Sequence, residues 1–124
     1  MLYVSLIDPS NTEGRAKAKD QIQLSLDGLR RTGYVNIMPP CLLSRALVRH
    51  LDGSAEGANS DLESAWEISS RGQLRLYMAD VQLHRARLFR DKKALVESRK
   101  FIEECGYWRR KEELKDAEEA AKNW

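Results

Sequence analysis

A chain of 124 residues with 42% hydrophobic residues is the size of one ordinary domain and can bury a core without metals or disulfides. Its 21 Lys and Arg against 19 Asp and Glu leave a formal charge of +2, so a charged fraction of 32% describes solvated helix faces of mixed sign. A nucleic-acid arm would need a positive excess concentrated on one surface.

Two cysteines far apart, Cys41 and Cys105, exclude a disulfide framework and a CxxC zinc site. No stretch approaches the ~20 apolar residues of a membrane span. Met1 to Ile7 is apolar but lacks a basic flank and meets Asp8-Pro9 early, unlike a secretory leader. The expectation is a reduced, cytoplasmic protein that makes no use of a membrane.

Apolar residues recur at helical spacing almost everywhere and rarely alternate with a period of two, which predicts helices and no sheet. Residues 1–14 are read as a poorly defined segment, a remnant helix or disordered, and 15–124 as one helical-repeat domain. The first helix runs from about Arg15 to Thr32 with a stripe of Ala18, Ile22, Ser25 and Leu29, closed by Gly33.

Pro39 and Pro40 open the second helix, whose buried face is Leu43, Ala46, Leu47 and Leu51 and whose end is Gly53. The third carries Ala58, Leu62, Ala65 and Ser69 and stops at Gly72. The fourth, from about Gln73 to Arg90, is apolar nearly all round, from Leu74, Leu76 and Tyr77 to Ala86 and Leu88, which places it centrally. The fifth spans about Lys92 to Glu104 and ends at Gly106. The sixth carries Leu114, Ala117, Ala121 and Trp124 on one stripe, with Lys111, Glu112 and Lys115 solvating it as a C-terminal cap. Connections of a few residues make neighbouring helices antiparallel.

A repeat underlies these helices. Ala46 and Ala79, Leu62 and Leu95, and Ala65 and Ser98 are each 33 residues apart, the mark of stacked supersecondary units. Within Pro39 to Gly72, Ala46 is followed by Gly53, Ala58, Leu62 and Ala65. Small residues let helix backbones approach and the large one fills the gap between them.

This unit resembles the tetratricopeptide repeat, although Leu42, Arg45-Ala46 and Arg49 stand where the family usually has Trp, Leu-Gly and Tyr, and Asp91 stands where the next unit expects a small residue. The strings Leu26 to Gly33, Arg85 to Phe89 and Phe101 to Leu114 are similar to the C-terminal tetratricopeptide region of large bacterial multidomain proteins. The resemblance implies a right-handed superhelical stack of antiparallel hairpins, an α-solenoid of about six helices. It also implies the tail of a protein with a nucleotide-binding or signalling domain.

Chemistry-bearing patterns are sparse. None of the seven glycines lies in a GxGxxG or GxxxxGK[ST] string, and no serine lies in a GxSxG elbow. Asp80 one turn before His84, with His50 the second histidine, reads as an ordinary helix-surface pair rather than a zinc or general-base site. Cys41 sits in a helix's first turn, where the dipole favours the thiolate, but has no paired His. Arg30-Arg31, Arg85, Arg87, Arg90 and Arg109-Arg110-Lys111 are interleaved with Glu103, Glu104, Glu112 and Glu113, which disfavours a phosphate track. No enzyme, no cofactor and no metal are expected.

The function expected is a protein-interaction module that takes a peptide or helix of a partner protein in a concave groove. Groove residues assigned from repeat position are Leu43, Leu47, His50, Leu76, Asp80, Leu83, His84 and Arg87. The alternative is homo-oligomerisation, a dimer formed through an apolar N-terminal face at Ala18, Ile22 and Leu26.

Overall fold

The computed structural model describes residues 12–124, so Met1 to Asn11, including the apolar opening run, lie outside the described residues. Six α-helices follow in order: α1 Thr12–Thr32, α2 Met38–Leu51, α3 Ala55–Arg71, α4 Arg75–Phe89, α5 Lys92–Cys105 and α6 Lys111–Ala121. Short 3₁₀ turns at Val35–Ile37 and Trp108–Arg110 precede α2 and α6, and no strand occurs among the described residues. α1 begins three residues before the expected domain boundary at Arg15.

All five joints are built alike. After α1 the Tyr34 amide donates to the Leu29 carbonyl (2.9 Å) and the Gly33 amide to Arg30 (3.3 Å). After α5, Tyr107 donates to Ile102 (2.9 Å) and Gly106 to Glu103 (3.3 Å). The pairs Ser54 to Arg49, Leu74 to Ser69 and Asp91 to Ala86 repeat the longer bond. This is the Schellman closure, which satisfies the last carbonyls of a helix and requires a left-handed residue just past its end.

Gly33 (φ 77°) and Gly106 (φ 64°) adopt that conformation without a Cβ penalty, whereas Gln73 and Arg90, both at φ 52°, adopt it with one. Gln73→Gly is therefore expected to raise the free energy of unfolding by about 0.5–1 kcal/mol, less than the full left-handed penalty because glycine also loosens the unfolded chain. Urea denaturation of the two proteins checks it.

Asp91, an odd residue for a repeat, caps α5: its carboxylate accepts from the Ala94 amide at 3.0 Å. The repeat is uneven. Helix starts recur every 37 residues, from Met38 to Arg75 and from Ala55 to Lys92. The buried positions keep the 33-residue step: Asp61, Leu62, Ala65 and Ser69 against Ala94, Leu95, Ser98 and Ile102. α3 carries the additional turn at its N-terminal end.

Hairpins α2/α3 and α4/α5 form the two closest-packed pairs, and α1 packs on α2. α4 touches α2, α3, α5 and α6, the central place its pattern predicts. α2 also packs on α4, and α4 on α6, so alternate helices are neighbours. One core joins Leu26, Met38, Leu42, Leu43, Ala46, Ala58, Leu62, Ala65 and Val81. A second joins Ala79, Leu83, Ala86, Ala94, Leu95, Ile102, Leu114 and Ala117. Small residues line the closest approaches of both. Trp66 of α3 and Phe101 of α5 meet with 6.2 Å between ring centroids.

The N-terminal face proposed for a dimer is covered within the chain. Ala18 and Ile22 pack with Leu47, Val48 and Leu51 of α2, and Leu26 is fully buried in the first core. α2 is long enough to cover α1 along its apolar stripe, so no complete first hairpin is needed to bury it.

Candidate functional site

The eight residues expected in the groove separate into two groups. Leu43, Leu47 and Leu83 are 3–5% exposed and belong to the three apolar clusters: Leu43 and Leu47 share theirs with Val81 and Leu88 of α4, and Leu83 packs with Ala94, Leu95, Ile102 and Leu114 of α5 and α6. Asp80 is buried as well. His50, His84 and Arg87 are half-buried, and Leu76 is exposed. What remains accessible of the α2, α4 and α6 side is therefore a polar, partly aromatic surface.

Asp80 anchors the turn before α6. Its carboxylate accepts from Arg110 Nε (2.8 Å) and from the Tyr107 hydroxyl (3.4 Å), and the Arg110 guanidinium lies 5.6 Å from the centre of the Tyr107 ring. Burial, with the Asp80 charge beside it, pushes the Tyr107 hydroxyl up, and the hydrogen bond to Asp80 raises Arg110. Asp80 is thus the tie between α4 and the α5–α6 joint.

His84 does not use that carboxylate. Its Nδ1 lies 2.9 Å from the Asp80 backbone carbonyl, which can only accept, so the ring carries its proton on Nδ1 and donates. Burial lowers the His84 pKa below 6.5, opposed by the Asp80 carbonyl and carboxylate and reinforced by Arg87 and Arg110. A ring that binds its proton more weakly folded than unfolded contributes stability in full above its unfolded value and loses it as the pH falls below. Stability should accordingly drop between about pH 7.5 and about pH 5.5, and His84→Gln should lessen the drop, in urea titrations at the two pH values.

His50 forms an edge contact with Phe89 (5.5 Å between centroids, 76° between planes), and its Nδ1 is buried with no hydrogen-bond partner. At the same end of the molecule Arg87, Arg90, Asp116, Ala117, Ala120 and Trp124 line a cleft of ≈ 170 Å³ between α4 and α6. Among the described residues no three His, Cys, Asp or Glu side chains group as metal ligands would. Burial pushes the Cys41 thiol up.

The buried charges were missed by sequence reasoning. Asp61 of α3 accepts from Arg45 Nε (3.1 Å), Arg45 Nη2 (2.8 Å) and Arg49 Nη1 (3.1 Å), while Arg45 Nη1 reaches Gln23 of α1 (3.1 Å). Gln82 of α4 bonds Glu97 of α5 and accepts from Arg85, which also pairs with Glu63 of α3 at 2.8 Å. Asp52 takes Lys19 and Arg15 from α1, and these bonds hold its carboxyl below its usual value. Each network crosses a helix boundary, so polar side chains fix which helices meet and in what register.

Comparison with protein-family models, with curated proteins and with solved structures finds no match to this chain.

Proposed function

We propose that the chain is an interaction module of tetratricopeptide type, the tail of a larger signalling protein, which binds a peptide or helix of a partner on the side formed by α2, α4 and α6. The observation that supports it best is the pattern of contacts. Each first helix of a hairpin packs on the next first helix, while α3 and α5 serve as their second helices. Repeated hairpins with alternate helices in register generate an extended surface that no single hairpin has.

The accessible part of that side is His50, His84, Arg87 and Leu76 together with the cleft at Arg90 and Trp124. Its aromatic and arginine content is the kind that concentrates binding energy. Selection of a displayed peptide library on the full chain tests the reading. A selected peptide should bind saturably and lose about tenfold in affinity on Arg87→Glu or His50→Ala, with melting curves unchanged. A library that yields nothing, or peptides indifferent to both variants, would refute it. The alternative is homo-oligomerisation; with Ala18 and Leu26 buried against α2, it would rest on the half-buried Ile22.

A further inference from the structure

The antiparallel order places the α1/α2, α3/α4 and α5/α6 joints at one end of the molecule. Most large hydrophobic side chains left exposed among the described residues gather there. Tyr34, Val35 and Ile37 occupy the first joint, Leu76 follows the second and Trp108 lies in the third, each between 44 and 59% exposed. The pairing of Arg75 with Glu104 (3.3 Å) and of Asp80 with Arg110 (2.8 Å) brings the second and third joints together. The first 3₁₀ turn packs on α3, which leads into the second. These contacts set the three joints, with their exposed apolar groups, side by side.

Charge is concentrated on the same edge. Residues 30–38, 70–76 and 104–112 carry seven Arg and Lys against two Glu, an excess of five, whereas the whole chain has a net charge of +2. Arg71 and Arg75 have surface partners in Glu67 and Glu104, and Arg110 is held by Asp80 and Glu113, which leaves Arg30, Arg31, Arg109 and Lys111 with no ion pair among the described residues. Apolar groups of this number at one edge, flanked by uncompensated cations, exceed what a solvated joint needs.

We infer that this edge docks an acidic amphipathic segment of a partner protein, an inference that rests on the reading of the chain as an interaction module. Packed helices lie roughly 8–10 Å apart, so the line from Ile37 past Leu76 to Trp108 is about 20 Å long. That is the length of about 13 residues of α-helix, whose apolar stripe would cover the line while its acids face Arg30, Arg31 and Arg109.

A second copy fits poorly, since it would bring two positive edges together. The aliphatic Val35, Ile37 and Leu76 have nothing to offer a phosphate chain.

The experiment is a fluorescence-anisotropy titration of the full chain with a labelled helical peptide of about 14 residues, Leu and Phe on one stripe and Glu elsewhere. Controls replace its apolar residues by Ser or its Glu by Lys. Saturable binding of the acidic amphipath alone is expected. It should weaken about tenfold in Arg31→Glu/Arg109→Glu and in Ile37→Ser/Trp108→Ser, and not in Lys93→Glu at the opposite end of the molecule, with circular dichroism melting verifying that each variant folds.

No saturable binding, equal binding of the Lys peptide, or indifference to both edge variants would overturn the inference. So would tighter association with phosphatidylserine vesicles or with an oligothymidine. A library peptide that binds through Arg87 and His50 while this probe fails would remove the edge and leave the interaction module standing.

Discussion

Replacing Asp61 with alanine is expected to lower the free energy of unfolding by about 2–4 kcal/mol, because it leaves partly buried cations with no counter-charge. The Asp61 side chain is 2% exposed and holds Arg45, itself 15% exposed, and Arg49, at 34%. Arg45 bears most of the cost, since water reaches Arg49 and screens it. The loss also frees Arg45 from its position between Gln23 of α1 and α3, so three helices loosen together. Urea denaturation followed by far-ultraviolet circular dichroism measures it. The exposed pair Lys122 and Glu119, 71% and 75% exposed, provides the contrast: Glu119→Ala should stay within about 0.5 kcal/mol of the parent. Similar costs at both positions would mean that the Asp61 network carries no more weight than surface decoration.

The number and limits of the helices were legible because their punctuation is local. Gly33, Gly53 and Gly106 supply the left-handed residue of a Schellman closure, and Pro39 and Pro40 occupy a first turn where an amide hydrogen has no partner to lose. The central place of α4 was legible from its all-round apolarity. Its buried polar side was not, because Asp80 and Gln82 look like surface residues until Arg110 and Glu97 arrive from distant segments to satisfy them. The same holds for Asp61.

Leu43, Leu47 and Leu83, assigned to a groove from repeat position, are buried, and the signal for that was not in the repeat. On α2 one helical stripe serves two neighbours at once, so Leu43 and Leu47 share clusters with Val81 and Leu88 of α4, while Leu83 packs with α5 and α6. The accessible site residues His50, His84 and Arg87 share a region because α2 and α4 run in the same direction, a consequence of three-residue joints. The positive apolar edge was not visible in sequence order, since its three parts are separated by whole hairpins.

Leu26→Ala is expected to destabilise the chain by about 2–5 kcal/mol while leaving its solution mass unchanged. Leu26 is 0% exposed and meets Met38, Leu42 and Leu43, with Ile22 and Leu29 beside it on α1. A truncated side chain there loses its transfer free energy and leaves a cavity between two long helices whose backbones are already held by Arg15, Lys19 and Arg45. Those polar ties prevent α1 from collapsing into the space, which places the effect toward the upper part of the range. Leu24, two residues away and 70% exposed, should tolerate alanine within about 0.5 kcal/mol. Urea denaturation with light scattering across a concentration series separates the two ideas about α1. A stripe that builds the core changes stability at constant mass; a stripe that mates with a second copy would show a dimer in the parent that Leu26→Ala or Ile22→Asp dissociates. The packing of Ala18, Ile22 and Leu26 against α2 predicts the first result.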